Sequence, residues 1–62
     1  MPKLFIEMLE GRTLEQKREL VKAVTAAVAD SLNIAHEEVL INIHENPKEN
    51  VAKGGILLAD RK

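Results

Sequence analysis

The chain has 62 residues, no cysteine, two histidines and a net charge of −1 from nine basic and ten acidic side chains. This composition excludes disulfides and thiolate zinc sites, and the interspersed charges offer no basic tract for nucleic acid. A domain of this size buries only about 60% of its unfolded surface, so a monomer is marginal and partner subunits are the remaining source of stability. No segment reaches the ~20 apolar residues of a membrane span, and no basic, apolar leader follows Met1. The expectation is one cytoplasmic domain over residues 1–62.

Residues 3–9 alternate. Leu4, Ile6 and Met8 point one way and Lys3, Phe5, Glu7 and Leu9 the other, which predicts a strand. Glu10-Gly11 ends it. Thr13-Leu14-Glu15-Gln16 has the form of a capping box, in which Thr13 and Gln16 exchange side-chain and backbone hydrogen bonds. From Leu14 the spacing predicts a helix of about 19 residues, roughly 28 Å long, with Asn33 as its stop. Leu14, Leu20, Val21, Val24, Val28 and Leu32 form its apolar face; Glu15, Arg18, Glu19, Lys22, Ala26 and Asp30 lie opposite. Lys17 falls within the apolar sector, where its stem can pack while its ammonium reaches water.

Ile34 to Glu38 is a connection, and Val39 to Glu45 alternates again. Val39, Ile41 and Ile43 share one face, Leu40, Asn42 and His44 the other. Strand, helix, strand is a βαβ unit with a right-handed crossover and parallel strands, an α/β (α+β) fold. The helix is expected to cover Leu4, Ile6, Met8, Val39, Ile41 and Ile43. Asn46 to Asn50 reads as a turn. Gly54-Gly55 followed by Ile56-Leu57-Leu58 reads as a C-terminal hairpin or arm seeking a neighbouring subunit. The uncovered sheet face carries Phe5 and Leu40 beside Lys3, Glu7, Asn42 and His44, a mixture suited to a subunit interface. The strand edges also require partners. His36 reads as a loop residue, His44-Glu45 as a strand end facing solvent or a neighbour, and Met8 as core filler.

Pro2 carries the most distinctive chemistry. If Met1 is removed, Pro2 becomes a free secondary amine able to act as base or nucleophile. If Met1 stays, the same nitrogen is an amide and does neither. The bland alternative is an inert terminus.

Pro2, the Leu9-Glu10-Gly11-Arg12 turn, Glu15-Gln16-Lys17 and Gly54-Gly55 together resemble the 4-oxalocrotonate tautomerase family over essentially the whole chain. The resemblance implies loss of Met1, an amino-terminal proline acting as general base, and proton transfer on an enol or enolisable 2-oxo acid. It implies a homo-oligomer, a hexamer built as a trimer of dimers in several members, with sites between subunits and no cofactor or metal. Pro2 would be the base. An ordinary α-amino group has a pKa of about 7.7–8.0, so burial or a nearby cation must lower it. Leu4, Leu9 and apolar residues of neighbouring subunits are candidates for that burial. Arg12 matches a catalytic arginine and can hold a carboxylate through its fork. Its position before a helix start is unfavourable to the helix dipole, which suits a functional reason.

Two positions depart from the family's pattern. Leu40 stands where a second arginine binds the oxygen-rich end of the substrate, and Val51 where a phenylalanine forms a wall. Leu9, Leu40 and Val51 are therefore the candidate substrate-binding positions, with only Arg12 clearly assigned to a carboxylate. Lys3, Lys48, Lys53 and Arg61 are possible substitutes for the missing cation. The expected substrate is a 2-hydroxydienoate or another enolisable 2-oxo acid, with a monocarboxylate favoured. The alternative function is a non-catalytic homo-oligomer that kept the fold and lost the site.

Overall fold

The computed structural model describes residues 1–61. Strand β1 spans Lys3–Leu9, helix α1 Leu14–Leu32, strand β2 Leu40–Asn46, and two short strands, β3 (Ala52–Lys53) and β4 (Ile56–Leu57), follow. Single 3-10 turns occupy His36–Glu38, Lys48–Asn50 and Leu58–Asp60. β1 and β2 are parallel, in a register that runs from Lys3 opposite Leu40 to Leu9 opposite Asn46.

β2 lies one residue later than the alternation alone suggests, and backbone hydrogen bonds explain the shift. The Val39 amide donates to the His36 carbonyl at 3.1 Å, closing the 3-10 turn, so it is unavailable to the sheet. The next amide, Leu40, donates to the Pro2 carbonyl at 3.1 Å. At the other end Glu10 donates to the Asn46 carbonyl at 3.0 Å, which holds Asn46 in the ladder.

Helix α1 begins and ends as its sequence dictates. The Thr13 amide donates to Gln16 Oε1 at 2.9 Å, and the Gln16 amide donates to Thr13 Oγ1 at 3.1 Å. Asn33 adopts the left-handed conformation, φ 56° and ψ 51°, and terminates the helix. Thr13→Ala removes one of the two capping bonds, and a loss of about 1 kcal/mol in the stability of the assembled protein is expected by denaturant titration.

The helix covers the predicted sheet face: Leu4, Ile6, Met8, Val39, Ile41 and Ile43 are all half-buried. Leu14 and Leu32, at the helix ends, overhang the two-stranded sheet and are exposed. Ala26 is half-buried rather than on the outer face. Among the described residues only Ala29 is fully buried. On the opposite sheet face Phe5 is 74% and Leu40 50% exposed.

The C-terminal segment forms the expected hairpin, β3 antiparallel to β4. Gly54 and Gly55 sit at φ 61° and 82°, the two positive angles that a type I′ two-residue loop requires. Arg61 Nη2 donates to the Lys53 carbonyl at 2.7 Å and braces the hairpin. The Cα radius of gyration is 14.9 Å, against about 11 Å for a compact chain of this length. The small number of buried residues and the extended shape together describe a subunit with little core of its own.

Candidate active site

The predicted site residues fall into two groups at opposite ends of the sheet. Pro2 and Leu40 share one end: the Leu40 amide holds the Pro2 carbonyl, and Lys3 is the register neighbour of Leu40. Pro2 is half-buried, while Met1 projects beyond it, 80% exposed. The Pro2 nitrogen thus stands where the sheet meets solvent, with its own carbonyl fixed by β2.

Leu9, Arg12 and Val51 share the other end. Leu9 and Val51 line one open groove of about 550 Å³ together with Met8, Asn46, Asn50 and Leu58. Gly11, at φ 124°, makes the turn that leads from β1 into Arg12. Arg12 is exposed and lines a separate pocket of about 230 Å³ with Met8, Gln16, Lys17 and Leu20. It makes no ion pair or side-chain hydrogen bond among the described residues.

β1 separates the two groups. Seven strand residues at about 3.3 Å each put roughly 20 Å between its ends. No arginine side chain spans that distance, so Pro2 and Arg12 of one chain do not meet. Leu9 is equally remote from the Pro2 of its own chain and cannot bury it.

The ionic network extends the expectation at two places. Lys17 does snorkel from the helix, and its Nζ is bonded to Glu45 Oε1, tying α1 to β2; the two side chains are 27% and 28% exposed. Glu45 therefore faces the helix rather than solvent. His44 Nδ1 lies 3.2 Å from Glu7 Oε1 on the exposed sheet face. His36 is exposed in its 3-10 turn, as expected. Lys48 lines a third groove, of about 570 Å³, with Glu10, Gly11 and Glu49. Among the described residues no three His, Asp or Glu side chains are grouped as metal ligands, and no helix is long and apolar enough to cross a membrane.

These features define a small α+β protein: a parallel βαβ unit with a proline at its head and, at its far end, an arginine that has no partner among the described residues. Comparison with known proteins places it more closely. The family described as "Tautomerase enzyme" matches residues 2–61. A probable tautomerase of Bacillus cereus is 43% identical over 61 residues, 98% of this chain and 100% of that protein. The 2-hydroxymuconate tautomerase of Bacillus subtilis is 43% identical over 60 residues, 97% of each chain. Among solved structures, a homologue of 4-oxalocrotonate tautomerase superposes with a TM-score of 0.92 at 41% identity, covering 98% of this chain and 100% of its own. A heterohexamer 4-oxalocrotonate tautomerase from Chloroflexus aurantiacus gives a TM-score of 0.91 at 42% identity, covering 100% of both chains. The chain belongs to the tautomerase family and is an isomerase with the 4-oxalocrotonate tautomerase fold.

Proposed function

We propose that this protein, once Met1 is removed, catalyses keto–enol proton transfer on a 2-hydroxydienoate or another enolisable 2-oxo acid, with Pro2 as the general base. The observation that carries the proposal is the position of the two chemical groups. The candidate base and the candidate carboxylate receptor stand at opposite ends of β1, about 20 Å apart, in a chain whose sole fully buried described residue is Ala29. A working site then takes Pro2 from one subunit and Arg12 from another. The Pro2 nitrogen accepts the proton of the substrate's 2-hydroxyl group. The electron pair moves along the conjugated chain, and the proton is returned to carbon to give the 2-oxo acid. Arg12 binds a carboxylate through two N–H donors and draws electron density toward that end. Leu9 and Val51 wall the groove on the Arg12 side, and Leu40 occupies the Pro2 end, where it supplies no charge.

The assembly is a homo-oligomer, and the hexameric arrangement named for the Chloroflexus aurantiacus relative supports a hexamer here. Phe5 and Leu40 on the open sheet face and Ile56 and Leu57 on the arm are the apolar surfaces that association covers. Burying one such side chain contributes about 1.5–3 kcal/mol. Phe5→Glu replaces that gain with the cost of desolvating a charge, and sedimentation is expected to find smaller species and turnover reduced to background. An intact, active Phe5→Glu oligomer would count against this interface.

With one clearly assigned cation, the pocket favours a monocarboxylate such as phenylenolpyruvate. The name of the Bacillus subtilis relative supports 2-hydroxymuconate as the competing substrate. The test is to follow ketonisation of both enols in the ultraviolet with protein whose amino terminus has been verified by mass spectrometry. A higher kcat/KM for phenylenolpyruvate is expected. Neither enol converting faster than in buffer would overturn the proposal and return the non-catalytic alternative.

A further inference from the structure

We infer that Lys17 is a positioning residue for Arg12: by holding Glu45, it keeps the Arg12 guanidinium free for the substrate carboxylate. This rests on the proposed role of Arg12. Lys17 and Arg12 line the same small pocket, with Met8 between the sheet and the helix. Met8 is the register partner of Glu45, and the Glu45 carboxylate is bonded to Lys17 Nζ. Glu45 therefore places a half-buried carboxylate beside Met8, which lines the pocket with Arg12. Lys17 connects the two charges: it lines the pocket with Arg12 and its Nζ holds the Glu45 carboxylate.

An unneutralised carboxylate in that position would compete for Arg12. Arginine presents a planar fork matched to carboxylates, and a half-buried Glu45 without Lys17 would seek the nearest cation to offset its desolvation. The pattern recurs at other carboxylates. Glu15, the acidic residue of the first helical turn, pairs with Arg18 at 3.2 Å. Glu7 is occupied by His44. Each of these carboxylates has its own basic partner, and Arg12 has none among the described residues. Capture of Arg12 by Glu45 would divide the sites into competent and incompetent populations, and the apparent substrate affinity would fall by the competent fraction. The bound complex would be unchanged, so the effect belongs in KM rather than kcat.

The test is steady-state kinetics with phenylenolpyruvate on oligomers checked by sedimentation. Lys17→Met is expected to raise KM about tenfold with kcat within about twofold. Lys17→Gln, which keeps a polar flexible stem, is read in the same way should the Met variant fail to assemble. Combining either with Glu45→Gln removes the competitor and should restore KM, and Lys17→Arg should keep it near the wild-type value. Unchanged KM in the single variants overturns the inference, as does a raised KM that the Glu45→Gln change does not rescue, since that marks lost packing. Arg12→Ala is measured in parallel. An unaltered kcat/KM there defeats the assignment of Arg12 itself, whereas a lowered kcat/KM in Arg12→Ala with KM unchanged in Lys17→Met defeats only the role of Lys17.

Discussion

Acetylating the Pro2 nitrogen of the chain that lacks Met1 is expected to lower kcat/KM for phenylenolpyruvate by about 1,000-fold, within the 100- to 10,000-fold that general base catalysis contributes. The cause is electronic. In an amide the nitrogen lone pair is delocalised into the carbonyl, which gives the bond its partial double-bond character, so no basic pair remains to accept the proton of the enol. Retained Met1 has the same consequence, because it acylates the same nitrogen. Pro2→Ala is the informative companion. It leaves a primary amine at the same place but loses the ring that fixes φ, and a smaller loss of about 100-fold is expected. The ordering matters: wild type above Pro2→Ala, and Pro2→Ala above the acetylated chain. An acetylated protein that turns over within tenfold of the free amine would remove Pro2 from the mechanism, whatever the alanine variant does.

Much of this was legible in the sequence because its patterns are local. The alternation from Lys3 to Leu9, the Thr13–Gln16 box and the Asn33 stop each depend on a few neighbouring residues, and the structure contains all of them. The start of β2 was displaced by one residue because Val39 uses its amide to close a turn with His36, a choice between two acceptors that alternation does not encode. The Lys17–Glu45 bond was half visible. Lys17 stood out in an apolar sector, and extending the Val39, Ile41, Ile43 series by two places reaches Glu45. Treating Glu45 as the end of a strand hid the pairing. The site was less legible because the residues gathered by sequence resemblance do not gather in one chain. Pro2 with Leu40 and Leu9 with Val51 are each near one another, yet the length of β1 holds the two pairs apart. Strand length was readable from the start; its consequence for Pro2 and Arg12 required the turn after Leu9 to be placed.

Mixing two impaired chains is expected to raise activity above that of either alone, because the separation along β1 divides the proposed site between subunits. Arg12→Ala removes a charge-assisted, two-pronged hydrogen bond worth about 1.5–3 kcal/mol, which at 1.36 kcal/mol per decade lowers kcat/KM by about 10- to 150-fold. Pro2→Ala removes the ring base. If oligomers containing both variants are unfolded together and reassembled at equal concentration, a site recovers when its Pro2 comes from the Arg12→Ala chain and its Arg12 from the Pro2→Ala chain. Each choice has a probability of one half, so random assembly into a symmetric oligomer gives about one quarter of the wild-type sites. The same two proteins reassembled separately should stay at their own residual activities, which excludes recovery caused by refolding alone. A site built within one chain gives a different result: every chain in the mixture lacks one group, and no recovery occurs at any ratio. Lack of recovery from mixed oligomers, with subunit exchange verified by mass spectrometry, would overturn the shared site. Recovery near one quarter would support both residues and the subunit boundary between them at once, because no folded single chain brings Pro2 and Arg12 across the roughly 20 Å of β1.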